Sequence, residues 1–367
     1  MVLQCGIVGL PNVGKSTLFN ALTSAQVPAE IYPFTTIDPN VGVVSVPDER
    51  LSHIAEILNS EKVIPTTLRI VDIAGLIAGS HKGEGLGNRF LAQIREVDAI
   101  IHIVRCFSSE QVSHISDTLD PVRDIEIVET EIILKDLETV NKRKDAIAKK
   151  VKVGDKEAIR ELEVLTLLAS SLDRGLPVRN IDLDEDEQTI ISHLFLLSSK
   201  PVMYIGNVNE EEETSHHFGK VGKQLLSWGD ENHEHVLLLS AALEEELTFL
   251  TDEEEHQFFM DEWDIGKTGL ETLINEAYSL LDLITFFSTE SNHAQAWTLK
   301  SGTAVNQAAG VIHTDFQRGF IKADVYHYND LMTYRSETAL REAGKFRTEG
   351  KDYVVQDGDI IFFKFNV

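Results

Sequence analysis

Gly9-Leu10-Pro11-Asn12-Val13-Gly14-Lys15-Ser16-Thr17 is the stretch that decides the fold. It reads G-x-x-x-x-G-K-S, it follows the apolar run Gln4 to Val8, and Leu18, Phe19 and Leu22 behind it recur at helical spacing. Strand, glycine loop and helix in that order are the context in which this pattern cradles phosphates. Backbone N–H groups of the loop converge on the phosphate oxygens, and the helix N-terminus adds partial positive charge. In that setting Lys15 bridges the β- and γ-phosphates as a catalytic cation, while Ser16 offers its hydroxyl to Mg²⁺.

Two further segments follow in the order a phosphate switch requires. Pro33-Phe34-Thr35-Thr36-Ile37-Asp38-Pro39-Asn40 is turn-rich and precedes the strand-like Val41 to Val46. A threonine there can give its hydroxyl to Mg²⁺ and its N–H to the γ-phosphate, and Thr36 is preferred to its neighbour Thr35. Leu68-Arg69-Ile70-Val71 then reads as a strand ending in Asp72-Ile73-Ala74-Gly75. Asp72 supplies the anion beside the Mg²⁺ shell, and Gly75 lets a backbone N–H approach the terminal phosphate. Ras-like switches place a water-orienting Gln next; here the residue is Leu76, whose aliphatic side chain cannot do that, so slow intrinsic hydrolysis is expected. Residues 79–88 carry four glycines in ten positions, which suggests a mobile loop.

The base-reading element departs from the guanine pattern. After the apolar run Pro201 to Ile205 comes Asn207-Val208-Asn209-Glu210, where N-K-x-D would clamp guanine. The Asp that accepts from guanine N1–H and its amine is replaced by Glu210, and the Lys over the base by Val208. Losing that clamp favours ATP, with GTP as the alternative. Val236 to Leu239 reads as a further strand, and Ser240-Ala241-Ala242 as a loop beside the base.

Composition sets the outer limits. The chain has 367 residues, 43% hydrophobic and 25% charged, enough to bury two or three cores and too apolar for general disorder. With 33 Lys+Arg against 60 Asp+Glu its formal charge is −27. That excludes a protein that coats nucleic acid with its whole surface, and it leaves DNA and an anionic membrane as unsuitable partners. Only Cys5 and Cys106 are present, so neither a disulfide framework nor a zinc site is expected. No signal peptide or spanning segment is evident, which suits a cytoplasmic protein.

Together GLPNVGKST, PFTTIDPNVG, DIAGLIAGSHKGEGLGN and NVNE resemble the YchF-type Obg-like ATPases of the translation-factor class of P-loop proteins. The resemblance extends to the C-terminal AWTL, AAGVIHTDFQRGFI and EGKDYVVQDGDII. It implies an ATP-preferring hydrolase with a helical insertion and a C-terminal TGS domain. Carried over, Asn12, Val13, Gly14, Lys15, Ser16 and Thr17 bind the phosphates, Ser16 and Thr36 hold Mg²⁺, and Asn207 and Val208 lie against the adenine. Leu76 matches the family's hydrophobic replacement of the catalytic Gln. His114, in the polar segment Ser108 to Ser116, stands where the family's loop histidine is proposed to take over that role. Read from the residues alone, an exposed histidine without chemistry fits His114 equally well, and His81 is a rival. Asn12 stands where some related switches use an asparagine with K⁺.

About a hundred residues separate the strand ending near Val104 from the one starting at Val202, more than a crossover needs. Ile125, Val128, Ile132, Leu137 and Val140 recur at helical spacing, as do Ile159, Leu162, Leu165, Ala169 and Leu172 beyond Gly154. Two antiparallel helices with an apolar seam are expected. Their tip, Asn141 to Arg160, carries eight positive and three negative charges, a local +5. It is either a solvated face or a contact for the phosphate backbone of ribosomal RNA. The acidic runs at 182–187, 210–213, 244–246 and 252–255 read as solvated loops and helix starts, and Phe258, Phe259, Met260 and Trp263 as packing. Near the C-terminus, Asp352 to Val355, the turn Gln356 to Asp359, and Ile360 to Phe365 read as a hairpin.

The expected molecule is an α/β protein. A P-loop nucleotide-binding domain with a mostly parallel sheet occupies residues 1–122 and 200–280, a helical coiled-coil hairpin is inserted at 123–199, and a β-grasp TGS domain spans 281–367. Its expected work is Mg²⁺-dependent hydrolysis of ATP as a switch, in association with the ribosome or its RNA. Two alternatives stand: a GTPase or dual-specificity enzyme, and a ribosome- or protein-binding module whose affinity the nucleotide regulates.

Overall fold

Runs of β-branched residues set the first sheet. In a computed structural model, residues 3–24, 40–74, 86–108, 118–250, 252–263, 265–289 and 292–366 are described. Its strands are β1 (Gln4–Val8), β2 (Val41–Ser45), β4 (Thr67–Asp72), β5 (Ala99–Arg105), β6 (Val202–Asn207) and β7 (His235–Leu239), in the order β2-β4-β1-β5-β6-β7. The pairs β4/β1, β1/β5, β5/β6 and β6/β7 are parallel. Hydrogen bonds from Val46 N to Thr66 O and from Asp72 N to Asn40 O make β2 the antiparallel edge. Every residue of β5 and β6 is buried, as expected for central strands covered on both faces. The helix α1 (Lys15–Ser24) buries Leu18, Phe19, Ala21 and Leu22. In the chain α2 (Glu49–Leu58) follows β2, and α3 (Leu86–Glu96) precedes β5.

The insertion is a helical hairpin. Asp120 caps α4 (Pro121–Lys152) by accepting from Arg123 N, with Pro121 in the first turn. Asp155 caps α5 (Lys156–Asp173) by accepting from Glu157 N and Ala158 N. At 1.5 Å per residue α4 is about 48 Å long. Ile133, Val140 and Ile147, seven apart, form its seam against Val164, Leu165, Leu168 and Leu172. Ile159, expected in that seam, is 37% exposed instead. It lies in the first turn of α5, where Ala158 takes the inward position.

Polar groups fix the root of this hairpin. The buried carboxylate of Asp136 accepts from Leu197 N at 2.9 Å and from Ser198 N and Oγ at 2.7 Å each. Arg179 joins Glu129 of α4 at 3.0 Å to Tyr204 of β6 at 3.1 Å. Beside Tyr204, His102 is fully enclosed, and burial pushes its pKa down to about 3, so it stays neutral.

The second sheet contains β3 (Lys62–Ile64), β8 (Leu283–Ser288), β9 (His293–Lys300), β10 (Phe320–His327), β11 (Arg347–Glu349) and β12 (Asp359–Phe365). Their order is β11-β10-β12-β8-β9-β3. β8 and β9 are antiparallel, β12 lies parallel to β8, and β10 pairs antiparallel with both β12 and β11. With the helix Val305–Ile312 packed on one face through Val305, Ala308 and Ala309, this is the expected β-grasp arrangement. The opposite face packs Tyr326 and Ile360 against Leu51, Ile54 and Ala55 of α2. Residues 43–68 thus belong to the same compact unit as the residues from Glu271 on, and β3 extends its sheet by pairing parallel with β9.

The expected terminal hairpin does not form. Residues 352–355 make only an isolated bridge, Val354 to Ala304, while β12 takes β10 and β8 as neighbours. The intervening turn is held elsewhere: Asp357 Oδ1 accepts from Thr285 N at 2.9 Å, and Asp359 Oδ2 accepts from Gln356 N at 2.9 Å and Tyr353 OH at 2.7 Å. Val355, 2% exposed, packs into the core under the helix Val305–Ile312.

Candidate nucleotide site

The glycine loop runs from the end of β1 to the first turn of α1, and its backbone needs two left-handed residues. Asn12 has φ 65° and Gly14 φ 97°. At Gly14 a side chain is excluded twice over: φ is in the region glycine favours, and an added Cβ would collide with the amide nitrogen of Asn207. Leu18 N donates to Gly14 O at 2.9 Å, so the helix begins directly on the loop. Asn12 and Ser16 are exposed, Gly14, Lys15 and Thr17 half-buried, and Val13 is buried as the loop's apolar anchor.

Three residues distant in sequence meet at this loop. Lys15 Nζ lies 3.0 Å from Asp72 Oδ1 at the end of β4, with side chains only 13% and 20% exposed. Asn207, at the end of β6 and 5% exposed, donates from Nδ2 to Val13 O at 2.9 Å. Its Oδ1 accepts from Ala241 N, also at 2.9 Å. One amide therefore ties the phosphate loop to the loop after β7. Ser240 caps the next helix, Ala241–Phe249, accepting from Leu243 N at 3.4 Å. Val208 N donates to Leu239 O at 2.9 Å, but its side chain is 2% exposed and turned inward beside Gly222. Glu210, the guanine clamp's replacement, is exposed at the start of the helix Glu210–Thr214.

Thr36, Gly75, Leu76, His81 and His114 lie outside the described residues. Among those described, the structure adds a glutamine no motif pointed to: Gln93 of α3 accepts the N–H of Ala74 at 3.3 Å, next to the D-x-x-G segment. A glutamine inside a helix carries no sequence signal of that contact. A buried pair of glutamates behind Ser240 was likewise missed, because acidic runs read as solvent-facing. Arg105, buried at the end of β5, donates from Nε to Phe107 O at 3.0 Å and packs its guanidinium 4.5 Å from the Phe107 ring, anchoring the start of the segment that leads to His114. Both thiols, Cys5 and Cys106, are buried and pushed up to about 12, so neither is a nucleophile.

No group of three or more His, Cys, Asp or Glu able to hold a metal occurs among the described residues. The oxygens of Ser16 and Asp72 beside Lys15 are hard donors of the kind Mg²⁺ takes together with phosphate oxygens. Nor is any described helix long and apolar enough to cross a membrane.

Comparison with known proteins follows the same division of the chain. A family profile described as a 50S ribosome-binding GTPase matches residues 4–142. The profile of the YchF GTPase C-terminal region, described as a protein of unknown function, matches residues 283–366. The chain is similar to the ribosome-binding ATPase YchF of Bacillus subtilis, 46% identical over 367 residues with all of both chains covered. The protein of the same description from Haemophilus ducreyi is 47% identical over the same length, again covering both chains completely. Among solved structures, that of the Schizosaccharomyces pombe YchF GTPase superposes with a TM-score of 0.89 at 38% identity, covering 99% of this chain and 97% of that one. Likeness of this degree, unbroken from the glycine loop through the hairpin to the last strand, makes the chain a member of the YchF family.

Proposed function

We propose that the chain is an ATPase that converts ATP to ADP and phosphate and uses its nucleotide state to govern binding to the ribosome. The observation that carries this is the convergence on one glycine loop of Lys15 with Asp72 and of Asn207 with both Val13 and Ala241. The relatives named ribosome-binding ATPase support the ATP and ribosome parts of the reading. Backbone N–H groups of Asn12 to Thr17 and of Gly75 bind the phosphates, and Lys15 offsets charge on the β- and γ-oxygens. Ser16, Thr36 and Asp72 would hold Mg²⁺, which would supply charge neutralisation at the phosphoryl oxygens. Asn207 and the loop Ser240–Ala242 border the base, and Asn12 is the residue through which K⁺ would act. Titration calorimetry with ATP and GTP tests the base assignment. The GTPase descriptions of the matching profile and of the Schizosaccharomyces pombe structure support the second reading, and GTP binding tenfold tighter than ATP would establish it.

His114 serves in this reading as the catalytic group that orients the attacking water and accepts its proton. His114→Ala lowers the single-turnover ATPase rate at least about tenfold with ATP affinity unchanged. An unaltered rate removes the histidine from the mechanism. The same assay in K⁺ and Na⁺ buffers tests Asn12, since equal rates exclude a K⁺ role.

The hairpin is the arm that meets ribosomal RNA in the cytoplasm. Arg143 and Arg160 are engaged by Glu161 and Glu187 at 2.6 and 3.1 Å. Lys142, Lys149, Lys150, Lys152 and Lys156 are exposed and make no ion pair among the described residues. Reversing Lys149, Lys150, Lys152 and Lys156 to Glu weakens ribosome co-sedimentation at least about tenfold and flattens its salt dependence by roughly three to four units of log–log slope. ATPase without ribosomes stays unchanged. Wild-type co-sedimentation by this variant sinks the assignment, and identical binding in ATP and ADP sinks the switch.

A further inference from the structure

Two side chains from the acidic runs are inside the protein. Glu213, in the helix Glu210–Thr214, is 9% exposed, and Glu244, in the helix Ala241–Phe249, is 1% exposed. Glu213 Oε2 accepts the N–H of Ser240 at 2.5 Å. Glu244 accepts from Gly269 N at 2.5 Å and from Leu270 N at 3.2 Å. An oxygen of each carboxyl group also borders the same point beside residue 269, so the two groups are close neighbours. Two carboxylates buried this close together repel, which favours a neutral member in the pair. Both converge on residue 269, where an added Cβ would stand 2.6 Å from Glu244 Oε1 and 3.1 Å from Glu213 Oε1, hence glycine.

The pair holds the loop on the base side of the site. Adjacent peptide groups of that loop are fixed by different partners: Ser240 N–H by Glu213, and Ala241 N–H by Asn207, which also grips Val13 of the glycine loop. We propose that Glu213 and Glu244 share one proton and are positioning residues for the loop Ser240–Ala242, so that loss of this proton loosens the loop and weakens nucleotide binding. The inference rests on the nucleotide site proposed above. With the proton present, one negative charge is spread over two carboxyl groups supplied with three backbone N–H donors. Without it, two carboxylates in contact repel in a site shielded from water.

Glu244 is the titratable side chain that acts on Glu213 across the contact. On Glu213's own helix, Glu210 and Glu211 are exposed, and Glu212 turns away to accept from Gly219 N at 2.7 Å. Lys267 and Glu271 flank the Gly269–Leu270 donors in sequence. Burial first, then Glu244, push Glu213 up to about 8. The sign follows: the neutral form's contribution is complete below the ordinary glutamate value of 4.5 and is lost as pH rises to and through about 8.

The test uses the full-length protein, a fluorescent ATP analogue and a pH series from about 6.5 to about 9.5. Wild-type affinity is expected to fall about tenfold across that window. In Glu213→Gln the amide accepts Ser240 N–H and donates to Glu244 without titrating; it binds within about threefold of wild type near neutrality and stays flat. The infrared C=O band of a buried protonated carboxyl is expected in the nucleotide-free wild type, disappearing near pH 8, and is absent from the variant. A pH-independent wild type, or a Gln variant that falls in parallel with it, overturns the role in binding. A band that persists in the variant places the proton elsewhere and overturns the pair. The band as expected with no ATP binding at any pH refutes the nucleotide site, and the loop's role with it, while leaving the shared proton established.

Discussion

Lys15→Ala lowers kcat/KM for ATP hydrolysis by about 10³-fold, close to 4 kcal/mol of transition-state stabilisation, and leaves the fold intact. Charge on the β- and γ-oxygens grows as the phosphoryl group transfers, and the ammonium is the loop's only side-chain cation for it between Gly9 and Thr17. The ion pair with Asp72 contributes less than this to stability, because both side chains keep some access to water. Activity and melting temperature should therefore separate: rate lost, Tm within a few degrees of wild type. Lys15→Arg should not restore the rate, because a planar fork cannot replace a compact charge at the end of a flexible stem. Single-turnover hydrolysis with saturating enzyme checks the rate, and calorimetric melting checks the fold. An alanine variant hydrolysing ATP within threefold of wild type would exclude the glycine loop as the catalytic centre.

Local pattern made this much legible, and the limits of the sequence reading are physical. β1, the loop and α1 are consecutive, so their order and apolar spacing state the geometry directly. The hairpin was readable for the same reason, since its two helices are adjacent in the chain and its turn sits at Gly154. Pairings between distant segments were not. Nothing in Lys62-Val63-Ile64 announces His293-Ala294-Gln295 as its partner, so residues 43–68 gave no sign of joining the C-terminal sheet. Tyr353 to Val355 alternates like a strand, yet its hydrogen bonds go to Asp359 and Thr303. The acidic runs misled because mean polarity hides position. Glu213 ends a row of four glutamates, and only the helical turn carries it inward while Glu210 and Glu211 face solvent. Phe258 fails the opposite way: read as packing, it is 61% exposed, while the Phe259 ring lies tilted 5.1 Å from that of Trp263 and Met260 is buried.

Asn207→Ala should produce the largest loss of stability at the site together with a loss of nucleotide affinity. Its amide hydrogen-bonds both the glycine loop and the loop after β7, and both of its partners are in the interior, Val13 and Ala241 each being 1% exposed. Truncation strands a carbonyl and an N–H where water cannot replace the missing partner. Each orphaned group costs about 1–3 kcal/mol, so roughly 2–6 kcal/mol in all, a large share of the 5–15 kcal/mol that typically holds a domain together. At 2–4 °C per kcal/mol for a unit of this size, melting falls by about 4–24 °C. Freed from each other, the loops no longer present phosphate and base contacts at a fixed spacing, and ATP affinity drops at least about tenfold even at temperatures where the variant is folded. Asn207→Asp separates the two bonds: it keeps an acceptor for Ala241 N–H but sets a carboxylate oxygen against Val13 O, so only the glycine-loop side is repelled. If the tether works as one unit, Asp and Ala variants lose affinity alike although the Asp variant retains the Ala241 bond. Should the Asp variant bind ATP as wild type does, the hold on Val13 is dispensable and the coupling of the two loops is refuted.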